Sequence, residues 1–230
     1  MKKILLTIFM VLWFTLTCYG GTNLIGRVYS ANETINFNNV NLVDVFSLDK
    51  TFYPFEIKAS WFNRNVELSY FYFSRRNFEG TSNKIFIFKD IRFEPKEKEE
   101  IFLSGAKTNH KLEAKLLSFS QYIAPLVRWD YIDYSMNVKG KFKEKDYDLS
   151  DKWINSSFGL GASIGYRKNK IFLEGEGVVY INRTGSEFNV KALWVEGNYN
   201  LGGGYGFKHI KFGPIETKTQ GPFLQIGVNF

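Results

Sequence analysis

Apolar and polar side chains alternate one for one through most of this chain, the period of β-strands whose two faces meet different surroundings. From Ser157 onward, Phe158, Leu160, Ala162, Ile164 and Tyr166 alternate with glycines and serines up to Arg167. Lys168-Asn169-Lys170 predicts a short turn, and the return strand sets Ile171, Leu173, Val179 and Ile181 against Phe172, Glu174, Glu176 and Tyr180. A second hairpin places Tyr53, Phe55, Ile57, Ala59 and Trp61 opposite Glu56, Lys58 and Ser60. It turns at 62–65 and returns as Val66, Leu68, Tyr70 and Tyr72 against Glu67, Ser69, Phe71 and Phe73. A third strand runs from Gly197 to Phe207, with Glu196, Asn198 and Asn200 on its other face and a basic turn expected at Lys208-His209. Leu112, Ala114 and Leu116 stand against Lys111, Glu113 and Lys115. Between Val127 and Val138 the apolar parity switches near Ile132-Asp133, which predicts a bulge.

The last eight residues carry the pattern to the end. Leu224, Ile226, Val228 and Phe230 fall on one face, with Gln225, Gly227 and Asn229 on the other. An apolar face opposed by small or polar residues suits a wall between lipid and a polar lumen. The segment resembles the closing strand of small bacterial outer-membrane β-barrel proteins, the OmpX/OmpW/opacity-like class. That resemblance implies an up-and-down antiparallel transmembrane barrel, and it implies that Leu224, Ile226, Val228 and Phe230 form the signal read by the barrel-assembly machinery. Counting back from Phe230 gives about ten strands, with eight or twelve as alternatives and the first strand within 22–45. Short turns at 62–65, 122–126, 167–170 and 208–209 are expected on the periplasmic side. Longer loops near 76–110, 140–153 and 182–187 are expected outside. The stretch 84–106 reads either as a hairpin within one large loop or as two more wall strands.

The amino-terminus adds export. Lys2 and Lys3 precede an uncharged apolar run from Ile4 to Thr17, followed by Cys18-Tyr19-Gly20. A basic start, a short apolar core and small residues predict a signal peptide over 1–20, with a lipid anchor on Cys18 as the rival reading. Residues 21–230 then form one barrel domain. Cleavage would remove the chain's one cysteine, leaving a mature protein held by packing and pairing alone. The composition is 44% hydrophobic and 18% aromatic, which suits outward apolar faces spread in alternation. A secreted soluble β-barrel is the weaker second fold reading, and the Asn-x-Ser/Thr triplets at Asn32, Asn155 and Asn182 belong to it.

The net charge of +7 raises nucleic acid as a partner. Export argues against it and favours a solvated basic rim beside anionic envelope lipid or polysaccharide. Only His110 and His209 are available to chemistry, neither in a metal spacing, and no nucleophile-elbow or phosphate-loop motif is present. No cofactor or metal is expected; the chain reads as a non-enzyme, with an outer-membrane lipid-modifying enzyme as the last alternative and His110 its better candidate. The remaining constellation is a set of charges on predicted lumen faces: Glu56, Lys58, Glu67, Glu113, Lys115, Arg128, Asp130, Glu174, Glu176 and Glu196. In a barrel of about ten strands these read first as an internal plug and second as a narrow pore. The expected protein is a monomer in outer-membrane lipid, acting through its outer loops on a surface partner that the sequence does not name.

Overall fold

The computed structural model describes residues 20–95, 99–117, 122–142, 145–181 and 184–230. The predicted signal peptide up to residue 19, with Cys18, lies outside the described residues, as does Asn182. Ten antiparallel wall strands close into a barrel. The first is made of β1 (Gly21–Tyr29) and β2 (Ala31–Phe37), joined through Ser30, and both pair with β15 (Ile215–Asn229). Then follow β5 (Phe55–Phe62), β6 (Val66–Ser82), β9 (Ile101–Leu116), β10 (Ile123–Phe142), β11 (Lys145–Lys168), β12 (Ile171–Tyr180), β13 (Thr184–Glu196) and β14 (Tyr199–Phe212). Closure is through the two ends of the chain. Asn23 lies opposite Asn229 and Tyr29 opposite Phe223, and Thr22 and Phe230 exchange backbone hydrogen bonds at 3.1 and 2.8 Å. A closed ladder leaves no unpaired edge in lipid, where an unsatisfied amide costs several kcal/mol.

Turn chemistry fixes the two rims. At 62–65 the Asn63 Oδ1 accepts from the backbone N–H groups of Asn65 and Val66, an Asx turn. Gly197 and Gly213 have φ of +57° and +53°, where an L side chain is strained. Gly197 turns β13 into β14 at the rim where β1 begins and β15 ends, the terminal rim, and Gly213 turns β14 into β15 at the distal rim. The strand therefore runs straight through Lys208 and His209, and the expected turn there is corrected to 213–214. The expected turn at 122–126 is also corrected, because β10 already begins at Ile123.

The expected outer loops prove largely to be strand. Residues 76–82 belong to β6, 101–110 to β9, 145–153 to β11 and 184–187 to β13. Of 84–106, the part from Ile101 is wall, while β7 (Phe86–Phe88) and β8 (Ile91–Phe93) form a separate hairpin. Lys89 and Asp90, both at positive φ, make its two-residue turn. The other long distal connection holds β3 (Val40–Asn41), a four-residue helix α1 (Leu42–Val45) capped by Asn41, and β4 (Thr51–Phe52).

The predicted bulge at Ile132-Asp133 is absent. β10 pairs without a break from Ile123 to the hairpin tip, and Leu126, Arg128, Asp130, Ile132, Tyr134, Met136 and Val138 all point inward. What inverts is the chemistry of the two faces. Below Tyr131 the outward face is apolar and the inward face charged. Above it the inward face is apolar, and Asp133, Ser135, Asn137 and Lys139 face out. β11 inverts in the same way between Trp153 and Ile154. A register shift does occur in β6, between Phe73 and Arg76, so that Phe71 and Phe78 both face inward.

This inversion marks the edge of an apolar band. On β11 the band runs from Ile154 to Tyr166, roughly 40 Å along the strand at ~3.3 Å per residue. A tilt of ~45° brings that to about 28 Å, the thickness of a hydrocarbon core. Tyr72, His110 and Tyr131 stand side by side at its distal edge, with ring centroids 5.6 and 6.4 Å apart. Tyr166, Trp194, Tyr199 and Phe230 mark the edge near the termini. Aromatic rings favour both membrane interfaces.

Above the band the distal halves of β6, β9, β10 and β11 face the distal halves of β14, β15 and β2. Between them lies an apolar core that includes Phe37, Leu42, Phe46, Phe78, Phe86, Phe88, Phe93, Leu103, Tyr134 and Met136. Trp153 packs 5.6 Å from Phe37 and 6.3 Å from Phe88. The distal part of the barrel is therefore built like a water-soluble sandwich, with α1 and the β7–β8 hairpin folded into its mouth.

Two mutational outcomes follow from this architecture. Lys at Ile164 or Leu173, which are 60% and 47% exposed on the outward face, should cost about 2–4 kcal/mol near the bilayer midplane. Lys at Ser163, inward and opposite Glu176, should cost clearly less; equilibrium urea folding into vesicles measures both. Phe88→Ala should destabilise the distal core by about 3–5 kcal/mol without preventing insertion. Protease sensitivity confined to the distal segments, with an intact heat-modifiable barrel, is the expected readout.

Candidate functional site

The lumen is filled in layers, and the sequence-predicted charges form the lowest of them. Nearest the termini an open vestibule of about 490 Å³ is lined by Lys58–Glu67 at 2.8 Å, Lys115–Glu174 at 3.0 Å and Lys191–Glu174 at 2.6 Å. Above it Arg128, 1% exposed, ties together Glu113 on β9, Glu176 on β12 and Glu187 on β13. Lys111 reaches Glu187 at 2.5 Å and Lys208 reaches Asp130 at 2.9 Å. Arg27 spans Glu56 and Gln225, both at 2.8 Å, and Gln225 donates to Asn200 at 3.1 Å. Across these layers Arg27, Lys58, Lys111, Lys115, Arg128, Lys191 and Lys208 face Glu56, Glu67, Glu113, Asp130, Glu174, Glu176 and Glu187, an equal number of each sign.

Aromatic rings complete the seal. Phe71 points into the lumen with Lys58 and Arg128 at 5.0 and 5.7 Å from its ring centre, and Arg27 lies 5.2 Å over Phe223. Such contacts favour desolvated cations. The wall can close tightly here because β14 presents glycines inward. At Gly204 a Cβ would lie 2.1 Å from the Val190 carbonyl oxygen. One more ion cluster sits above, where Glu33 takes Arg76 at 2.5 Å and Lys107 at 2.6 Å beneath the apolar core.

Nine of the ten predicted lumen charges point inward. Glu196 does not: it is exposed at the terminal rim, paired with Lys170 and with the Trp194 indole N–H. The turn at Gly197 breaks the alternation that placed it with Asn198 and Asn200. Arg27, Lys111, Glu187, Lys191 and Lys208 were not singled out. Glu187 and Lys208 fall in segments read as loop and turn, and Arg27 lies on a first strand whose limits the pattern did not define. Leu224, Ile226 and Phe230 project outward, 73%, 61% and 74% exposed. Gln225, on the lumen face between them, is a partner for Arg27.

Both histidines lie on the outer surface of the wall. His110 Nδ1 is 2.7 Å from the Tyr70 hydroxyl within the distal aromatic belt, and His209 Nε2 is 2.9 Å from Glu216 above that belt. Among the described residues, no three His, Cys, Asp or Glu side chains converge as a metal site would need. Above the band the outward sheet face is polar. There Asp148 is held below the usual carboxylate range by hydrogen bonds from Asn137 and Lys139.

No protein-family model matches the chain, and no curated protein sequence matches it. Solved structures do. The outer membrane protease OmpT of Escherichia coli superposes with a TM-score of 0.51 at 9% identity, covering 92% of this chain and 96% of that one. Ail, the attachment invasion locus protein of Yersinia pestis, gives 0.43 at 10% identity over 92% and 99% of the two chains. An outer membrane channel from Pseudomonas putida F1 gives 0.44 at 9% over 92% and 96%. At these identities the likeness is one of fold. The chain has the fold of a bacterial outer-membrane β-barrel, with ten strands.

Removing Arg128 should be severe. Arg128→Met strands three buried carboxylates, and breaking a buried ionic cluster from one side costs about 3–5 kcal/mol. Glu196→Gln, at the solvated rim, should leave the unfolding midpoint unchanged. Both are read from urea unfolding followed by the heat-dependent gel shift.

Proposed function

We propose that the protein is an integral outer-membrane barrel that acts at the cell surface through its distal lobe rather than by passing solutes. The observation that carries this reading is the double closure of the lumen: a charge-balanced layer inside the band and an apolar core in the distal mouth. Side chains fill much of the lumen at both levels, and small barrels enclose little beyond their own side chains. The terminal vestibule is accordingly periplasmic and the lobe extracellular, as short terminal turns and long distal segments imply. Leu224, Ile226, Val228 and Phe230 present the outward terminal strand that the assembly machinery would read, after export on a cleaved signal peptide. OmpT is a protease, but that activity belongs to OmpT.

The lobe suits recognition because its core makes it rigid, and rigid scaffolds hold binding surfaces in place. Its outward face carries Asn77, Ser104, Ser135, Asn137 and Ser150 at the centre of a sheet flanked by Arg75, Glu79 and Lys152, the character of a polar surface partner such as host protein or polysaccharide. Planar-bilayer recording of the refolded protein tests the closure. Silence is expected, and a stable unitary conductance altered in selectivity by Glu174→Gln plus Glu176→Gln would replace this reading with a pore.

A further inference from the structure

We propose that the partly open cavity between the ion layer and the distal core is a binding site for a small amphipathic monoanion, a short-chain carboxylic acid or its equivalent. The cavity measures about 100 Å³. Ala31, Phe52, Pro54 and Phe73 supply its apolar wall, and Arg76, Lys107, Lys111 and Lys208 converge on it from three strands, with Glu187 beside Lys111 and Lys208.

Charge balance separates this level from the one below. The lower layers match each cation with a carboxylate. Here Arg76 and Lys107 share the single carboxylate of Glu33, so one positive charge is in excess beside an apolar space. Arg76 is otherwise fixed: its Nη2 donates to the Asp49 carbonyl at 2.8 Å, and its guanidinium lies 4.0 Å over Phe52. Lys107 is the group free to turn its ammonium toward an occupant while Glu33 stays neutralised by Arg76. Asn109, 7% exposed, lines the same cavity, and its buried Oδ1, an acceptor without a hydrogen-bond partner among the described residues, calls for a donor such as a water bridging it to the ligand head. Buried amides are nearly always satisfied, and an exception calls for a missing partner.

One excess cation and apolar walls together select a ligand with a single anionic head and a short tail. Size narrows it further. An apolar cavity of ~150 Å³ admits benzene, so about 100 Å³ holds a tail of roughly four or five carbons. The site would give the closed barrel a ligand-binding function that does not require a through-pore.

Calorimetry with the refolded full barrel in nanodiscs tests this, with pentanoate as the probe, empty nanodiscs as the blank, and 1-pentanol and pentylamine as neutral and cationic matches. Pentanoate should bind saturably in the millimolar range or tighter, as roughly seven heavy atoms permit. Pentanol and pentylamine should bind at least tenfold more weakly. Lys107→Met should bring pentanoate down to the level of pentanol while the heat-modifiable fold persists, because Glu33 and Arg76 remain a balanced pair. If that variant does not fold, Ala31→Leu, which fills the apolar end, should abolish binding instead. Heat no greater than the blank, equal binding of pentanoate and pentanol, or full binding by a folded Lys107→Met would overturn the proposal.

Discussion

A β-strand has two faces and a fixed period, so a wall strand that leaves lipid for water cannot change which side chains point inward without a bulge. That constraint governs this barrel. Its long strands meet hydrocarbon outside at one height and water at another, while the interior must be filled at both. The solution on β10 and β11 is to keep the parity and exchange the chemistry. Arg128 and Asp130 lie inside where Val127 and Tyr131 face lipid. Tyr134 and Met136 lie inside where Asp133 and Ser135 face water.

The two fillings do different work. In the distal lobe, burying Phe88, Trp153 and their neighbours removes apolar surface from water, the ordinary source of stability in a soluble domain. Inside the band that force is missing, since an outward leucine is as comfortable in lipid as an inward one. A lumen face made of charges removes the ambiguity, because Glu113 or Glu176 turned outward would meet hydrocarbon. Equal numbers of opposite charges, held by Arg128 and its partners, satisfy that face internally. Buried ion pairs add little net stability over well-packed apolar residues. Their contribution here is to fix register and sidedness, since a one-residue slip would expose every charge at once.

Where one face stayed apolar from end to end, the sequence could be read directly. The hairpins from Tyr53 to Phe73 and from Ser157 to Ile181, and the closing strand from Phe223, place their outward and inward residues as the alternation predicts. Failures cluster where surroundings change along an unbroken strand. The parity switch near Ile132 looks like a bulge in sequence because apolar residues move from one face to the other, but it is the solvent that has changed. The real shift, between Phe73 and Arg76, is masked by Phe71 and Phe73 already facing a lumen with cations to cover. Lys208 resembled a turn residue by analogy with Lys168-Asn169-Lys170, although Gly213-Pro214 is the stronger turn signal. With that turn misplaced, Lys208 dropped out of the lumen set; Glu187 was lost to the expected loop at 182–187, and Glu196 entered because the turn at Gly197 reads as continuous strand.

The inversion at constant parity is tested most directly by single-Cys spin labels placed along β10 from Val127 to Lys139 in the folded, membrane-inserted protein. Collision with oxygen reports lipid, and collision with a water-soluble nickel chelate reports solvent. Odd-numbered positions should be accessible throughout, to oxygen up to Tyr131 and to nickel from Asp133 onward, while even-numbered positions from Arg128 to Val138 stay shielded from both. A change of the accessible set from odd to even near Ile132 would show a bulge in place of the inversion, and would contradict the layered lumen built on it.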